Sequence, residues 1–339
     1  MSRTVLDSLN EGLLAAMRKE ASVLLLGEDI LDPYGGAFKA TRGLSTAFPE
    51  RVIPTPISEA GLGGICAGLA LRGLRPVLEI MFGDFTTLLA DQLINHISKF
   101  RWMYNNSVTL PLVIRTPMGG RRGYGPTHSQ TLEKLYLGVP GLTVAAPLAF
   151  ESAAGGLLQR IICESSDPVL FIENKLQYLL PLQSAADLTD FEQEITFSTT
   201  DTEKRYPTYR FALKGAPAAS LTLSAYGYMA ELARQAQRKL AYEYEIFCEL
   251  VTPTRLAPFD VTSVVESAGR TGRLLTIEEG GLTLGWGAEI LARTAEALPA
   301  APMMRRLPAQ DTPVPASPAL EKAALPQVED IINSVRKMV

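Results

Sequence analysis

Apolar positions along the chain recur with two different periods. Val5, Leu6, Leu9, Leu13, Leu14 and Met17 repeat every three or four residues and predict an amphipathic helix over Ser2 to Met17. Ala21 to Gly27 is a short, uniformly apolar run and reads as a strand. The alternation continues with a helix over Glu59 to Leu71, a strand over Pro76 to Ile80 and a helix over Thr86 to Tyr104. That last helix is expected to be a single amphipathic element with Leu89, Leu93, Ile97 and Phe100 on its apolar side. Strands at Leu112 to Ile114, Leu142 to Ala145 and Val169 to Ile172, with a helix over Ala149 to Cys163, complete the first half. Short apolar strands between helices imply a parallel sheet covered on both faces.

The pattern fails between residues 183 and 216, where Asp187, Asp190, Glu192, Glu194 and a Thr-rich run suggest a connector with room for one hairpin. It returns from Ala218. Strands are expected at Leu221 to Ser224, Glu245 to Val251 and Arg273 to Ile277. Helices are expected over Ala230 to Leu240, from Ser263, over Gly287 to Leu298 and from Val328 onward. The fold class is α/β with two domains, each a largely parallel sheet covered by helices: 1–182, a connector 183–216, and 217–339.

Composition removes several function classes. With 47% hydrophobic residues, 20% charged residues and a net charge of −4, the 339-residue chain is globular. The sequence has no basic run to suggest a nucleic-acid partner, and no apolar run of about 18 residues to span a membrane. The first helix carries Asp7 and Glu11 and lacks the apolar core of a signal peptide, so a cytoplasmic location is expected. Cys66, Cys163 and Cys248 lie far apart in apolar stretches and read as buried reduced thiols, without metal-ligand spacing.

Three segments carry candidate chemistry. In Pro56 to Gly64, Glu59 sits in an apolar, glycine-dense helix start with Ser58 as the candidate N-cap. A carboxylate there is either a helix N-terminal charge or a catalytic acid. Gly119 to Gln130 is a glycine-rich loop following a strand and carries His128, either an acid/base group or an exposed loop histidine. The other histidine, His96, lies mid-helix and reads as structural. Met81-Phe82-Gly83-Asp84-Phe85 follows a strand at the same sheet edge, where Phe85 either stacks on an aromatic ring or packs in the core. Gly83-Asp84 with Asn105-Asn106 imitates a diphosphate-binding GDG…NN motif. Phe85 replaces its second glycine and a helix fills the interval, so diphosphate is not expected there. Neither GxxxxGK[ST] nor GxGxxG follows a strand.

Taken in order, these segments resemble the beta subunit of the thiamine-diphosphate-dependent, decarboxylating component of 2-oxoacid dehydrogenase complexes, of the pyruvate, branched-chain and acetoin types. The matching stretches are Leu26-Gly27-Glu28-Asp29, Tyr34 to Phe38, Ile57 to Gly64, Asp91-Gln92 with Asn95, His128-Ser129-Gln130 and Pro140-Gly141-Leu142. In the second half they are Tyr226-Gly227, Thr271-Gly272-Arg273, Glu278-Glu279-Gly280, Gly287 to Ile290 and Asp311 to Pro315. The resemblance implies a pyrimidine-binding, transketolase-like first domain and a transketolase C-terminal-like second domain. It implies Glu59 as the catalytic glutamate facing ring nitrogen N1′, with Phe85, Ile57 and Met81 around the aminopyrimidine. His128 is implied in handling the acyl group. Diphosphate and Mg²⁺ would belong to an alpha subunit in a tetramer of two alpha and two beta chains. The substrate would be a 2-oxoacid and the acceptor a lipoyl acyltransferase component.

The chain departs from the family pattern at Leu88, where relatives often carry Gln, and at Arg121, Arg122, Tyr124 and Pro126, where small residues are usual. Arg121 and Arg122 either bind an anionic substrate or acidic partner or form a solvated pair. The altered loop keeps a second reading open, a transketolase-like or biosynthetic carboligase subunit that passes its intermediate to a carbonyl.

Overall fold

A computed structural model of the chain describes residues 3–339. The chain folds into two compact units, Met1–Met118 with Leu135–Leu182, and Gly119–Lys134 with Gln183–Val339.

The first unit begins with helix α1 (Val5–Lys19), started by a capping box in which the Thr4 hydroxyl and amide both donate to Asp7. Strand β1 (Val23–Gly27), the short helix α2 (Leu44–Ala47), β2 (Val52–Pro54), α3 (Glu59–Leu71) and β3 (Arg75–Glu79) follow. After the short α4 (Phe100–Met103) come β4 (Val113–Met118), β5 (Thr143–Ala145), α5 (Gly155–Glu164) and β6 (Val169–Asn174). The strands lie in the order β5-β6-β4-β3-β1-β2, all parallel. Their Val- and Leu-rich residues are buried on both faces, as parallel sheets require. Helices α1 and α5 cross with their backbones touching. A methyl group on Gly12 would collide with the Gly155 carbonyl, and one on Gly155 with the Ser8 carbonyl. The expected helix over Ala149 to Cys163 begins its α-helical part only at Gly155, after a 3₁₀ turn at Glu151–Ala153.

The helix expected over Thr86 to Tyr104 is broken. Gly83–Leu89 is 3₁₀, Gln92–Ile97 is π-helical, and only Phe100–Met103 is α-helical again. Side chains compete for its carbonyls. Thr86 donates to Gly83 O at 2.7 Å and Thr87 to Asp84 O at 2.9 Å, while Ser98 donates to Ile94 O at 3.2 Å.

The second unit contains β7 (Phe191–Phe197), β8 (Pro207–Leu213), β9 (Leu221–Ala225), α6 (Gly227–Tyr244), β10 (Cys248–Pro253) and the short β11 (Arg255–Ala257). It continues through α7 (Thr262–Thr271), β12 (Arg273–Gly281), α8 (Trp286–Ala297), β13 (Met303–Ala309), α9 (Pro318–Ala324) and α10 (Val328–Arg336). Its main sheet runs β13-β12-β9-β10-β8-β7. The first four strands are parallel, and the β7–β8 hairpin adds antiparallel to β10. The stretch expected as a connector with room for one hairpin contains that hairpin, β7–β8, within the second sheet. Strand β7 is an edge strand whose Glu192 and Glu194 face solvent, so its apolar alternation is weak.

All three cysteines are buried and unpaired, and burial pushes the Cys66 and Cys248 thiols up to about 12. Among the described residues no helix is long and apolar enough to cross a membrane.

The first sheet is cross-tied near its carboxyl edge. Arg115 on β4 is fully buried and donates to Glu173 on β6 through Nε at 2.9 Å and Nη2 at 2.5 Å, and to Glu79 on β3 through Nη1. Tyr178 also donates to Glu173. Burial raises the Glu79 carboxyl, while the neighbouring carboxylates hold the guanidinium charged. Arg115→Met should cost about 3–5 kcal/mol, because it strands two buried carboxyls. Urea unfolding of the full-length protein checks this, and a loss below about 1 kcal/mol would show that the network is dispensable.

Candidate active site

Parallel strands bring their carboxyl ends to one edge, where α/β sheets hold ligands. In the first unit β1 ends at Gly27 and leads into Glu28. Strand β2 ends at Pro54 ahead of Glu59, the first residue of α3, and β3 ends at Glu79 ahead of Met81 and Phe85. Glu59 is only 6% exposed. Among the described residues none donates a hydrogen bond to its carboxyl. Ser58 occupies the N-cap position but makes no side-chain cap bond, because its torsions are not those of a cap. Glu28 lies close enough to feel Glu59: burial raises its carboxyl first, and the charges of Glu59 and Asp29 raise it further. Phe85 is half-buried and meets Phe82 edge-on at 5.9 Å, and Phe82 meets Phe38 edge-on at 5.5 Å. Met81 is half-buried, Ile57 is 81% exposed and Leu88 is 57% exposed. The structure therefore brings Glu59, Phe85, Ile57 and Met81 to one edge.

His128 belongs to the second unit. Its loop, residues 119–134, closes through Gly119 N to Gln130 O at 3.2 Å and carries His128 beside Thr127, whose hydroxyl is 2.9 Å from Nδ1. Farther along the loop, the fully buried Glu133 accepts from the Tyr226 hydroxyl at 2.7 Å, and Lys134 Nζ donates to Thr283 O at 2.9 Å. Burial raises the Glu133 carboxyl. Burial also lifts Glu278 to about 8, with the charge of Glu133 adding to it and the amides of Gly287 and Trp286 opposing. Arg121 is not a solvated side chain: its Nη2 donates to Pro326 O at 2.6 Å and its guanidinium lies 5.5 Å from the Tyr228 ring centre, while its Nε and Nη1 are buried without a hydrogen-bond partner among the described residues. Arg122 is exposed and lies over Tyr124. His96 is also exposed, and its Nε2 lies 3.6 Å from Asp91 on the same segment.

Residues 2–179 match the family "Transketolase, pyrimidine binding domain" and residues 212–331 match "Transketolase, C-terminal domain". Over 339 residues the chain is 35% identical to the pyruvate dehydrogenase E1 component subunit beta-2, mitochondrial, of Oryza sativa subsp. japonica, covering 98% of this chain and 85% of that protein. It is 32% identical to the pyruvate dehydrogenase E1 component subunit beta of Rickettsia bellii, covering 100% and 99%. The chain belongs to the 2-oxoacid dehydrogenase E1 beta-subunit family. An acetoin:2,6-dichlorophenolindophenol oxidoreductase subunit beta from Bacillus subtilis is 34% identical, covering 96% of this chain and 94% of that one. A solved structure described as a split gene transketolase, inactive beta4 tetramer, shares the fold. Its TM-score is 0.73 at 22% identity, covering 98% of this chain and 96% of that one.

E1 beta-family chemistry depends on thiamine diphosphate, and the first unit fits one end of it. A buried carboxyl without a donor among the described residues, at the same sheet edge as a half-buried phenyl ring, suits an aminopyrimidine, which offers a ring nitrogen and a flat face. Asp84 sits in the 3₁₀ turn, Asn105 and Asn106 are left-handed turn residues, and no metal-ligating cluster exists among the described residues.

Glu28 was not expected as a site residue, although it lies in a family-matching stretch. Nor were Glu133, Glu279 and Glu321; the first lies within the His128 loop, and the other two reach it from distant parts of the chain. Glu278 yields a pH test. Its folded pKa of about 8 exceeds the ordinary glutamate value of 4.5, so the folded protein binds more protons between those limits and loses stability as pH rises through them. Glu278→Gln should therefore gain about 2–4 kcal/mol relative to wild type near pH 8 and little near pH 5, as thermal melts at both pH values would show.

Proposed function

We propose that this protein supplies half of a thiamine-diphosphate site that decarboxylates a 2-oxoacid and passes the acyl group to a lipoyl protein. It would act with an alpha subunit that holds the diphosphate and Mg²⁺. The single observation that carries this reading is the buried Glu59 carboxyl at the same sheet edge as the half-buried Phe85. An exposed Ile57 and Leu88, at 81% and 57%, flank that edge and suit cover by another chain. A two-alpha, two-beta assembly follows from the same reading, as do the first domain at 1–182, the linking segment 183–216 and the second domain at 217–339.

When bound, the cofactor supplies the electron sink for decarboxylation. Glu59 would hold or move a proton at the aminopyrimidine ring nitrogen, and Phe85 would offer its ring as the packing surface for that group. The Glu28 carboxyl, raised first by burial and then by the charge of Glu59, lies at the same sheet edge. His128 is assigned to acid/base work on the acyl group during transfer.

Titration of thiamine diphosphate with Mg²⁺ by calorimetry tests the half-site. Binding should appear only when the chain is co-purified with its alpha partner; tight binding by the chain alone would refute the two-chain site. Glu59→Gln should cut cofactor C2–H exchange at least about 100-fold while the assembly remains intact, and near-normal exchange would remove Glu59 from the mechanism. Phe85→Ala should weaken cofactor binding about 10-fold with less effect on turnover.

A further inference from the structure

The loop that carries His128 is built around a carboxylate from the C-terminal tail. Gly119, Arg121, Gly123 and Gly125 all have positive φ, at 90°, 69°, 69° and 75°. Alternation of left-handed residues with ordinary ones turns successive backbone amides toward a common side and forms an anion-binding concavity. Glu321 on α9 fills it. Its Oε1 accepts from Arg121 N at 2.7 Å and its Oε2 from Gly123 N at 3.1 Å. Gly120 N donates to Glu279 Oε1 at 2.7 Å, so a second carboxylate holds the same turn from β12.

Both carboxylates are almost inaccessible, Glu321 at 4% and Glu279 at 5% exposed. Arg121 closes the clamp from the loop side through Pro326 O and the Tyr228 ring. The approach is close: a Cβ at Gly120 would lie 2.8 Å from Leu325 Cδ1 and 3.1 Å from Glu321 Oε1. Arg121 is not a glycine, so its left-handed backbone costs energy that these bonds offset.

We propose that Glu321, with Glu279 and Arg121, is a positioning residue for His128: the tail's carboxylate occupies the loop's anion nest and sets where the imidazole is presented. This deepens the functional reading above and rests on its assignment of His128. The clamp lies several residues before His128 and acts on the loop backbone, so its effect should fall on the transfer step. Cofactor activation depends on Glu59 and should be unaffected.

The test uses the full-length protein in its native assembly, as wild type, Glu321→Gln, Glu321→Ala and Arg121→Met. Amide hydrogen exchange over residues 119–130 is the first readout. Glu321→Ala should speed it about 10-fold or more, and the near-isosteric Glu321→Gln by less, since one acceptor oxygen remains. Modification by diethyl pyrocarbonate is the second. The chain has two histidines, so the His128 rate can be read against His96 as an internal reference. The His128 rate should change while that of His96 does not. In the third, kcat for transfer to a lipoyl acceptor should fall about 10-fold or more with KM for the 2-oxoacid and C2–H exchange unchanged. Unchanged exchange over 119–130 in both Glu321 variants would overturn the clamp. Faster loop exchange with unchanged transfer kcat would overturn the positioning role. If Glu321→Ala does not fold, Glu321→Gln and Arg121→Met carry the same comparisons. Absence of transfer by the wild-type assembly would instead refute the functional reading, and the loop exchange would still decide the clamp.

Discussion

A guanidinium that cannot be buried alone organises the first sheet. Arg115 crosses from the central strand β4 to carboxyls on β3 and β6, at the edge from which the loops depart. The net stability of such a network is small, because desolvation consumes most of the attraction. Its effect on register is large. A slip of one residue in β4 would turn Arg115 to the other face and leave Glu79 and Glu173 as buried, unpaired acids. The loops carrying Phe82 and Phe85 therefore leave from a fixed place. The Phe82 ring is held there by Phe38 and by Lys175, whose ammonium lies 5.2 Å from its centre.

Most of the fold was legible because uniformly apolar strands and amphipathic helices obey simple periods. Helix α3 begins and ends where its pattern does, at Glu59 and Leu71. The failures have local causes. Between Thr86 and Tyr104 the apolar spacing is helical, but Thr86, Thr87 and Ser98 satisfy carbonyls with hydroxyls and change the winding, which periodicity cannot register. The β7–β8 hairpin was only half-visible. Tyr209 and Phe211 on β8 are buried and stacked, whereas β7 exposes most of its length.

The site was legible to the extent that its residues sit in distinctive local surroundings. Glu59 stood out as a lone carboxylate in a small-residue, apolar helix start, and its 6% exposure agrees with that setting. Glu28, Glu279 and Glu321 had no such contrast. What distinguishes Glu321 is a pair of amides some 200 positions away, and no window of sequence contains both partners. Arg121 shows the same limit for a cation. A cation in an exposed-looking loop invites a ligand or solvent, yet its partners are a carbonyl and an aromatic ring contributed from far along the chain.

The membership of residues 119–134 has a consequence for how such a chain can be divided. This stretch lies inside the span 2–179 that matches one family, yet it packs as part of the unit formed with 183–339. A single cut near residue 182 would release a front fragment still carrying a length of the other unit's interior, Glu133 included, and a rear fragment with a hole of the same shape. Recombination that exchanges the halves of related proteins at that point would force each new rear half to accept a foreign plug. The two halves of this gene are thus bound to change together, through packing that a linear domain boundary does not register.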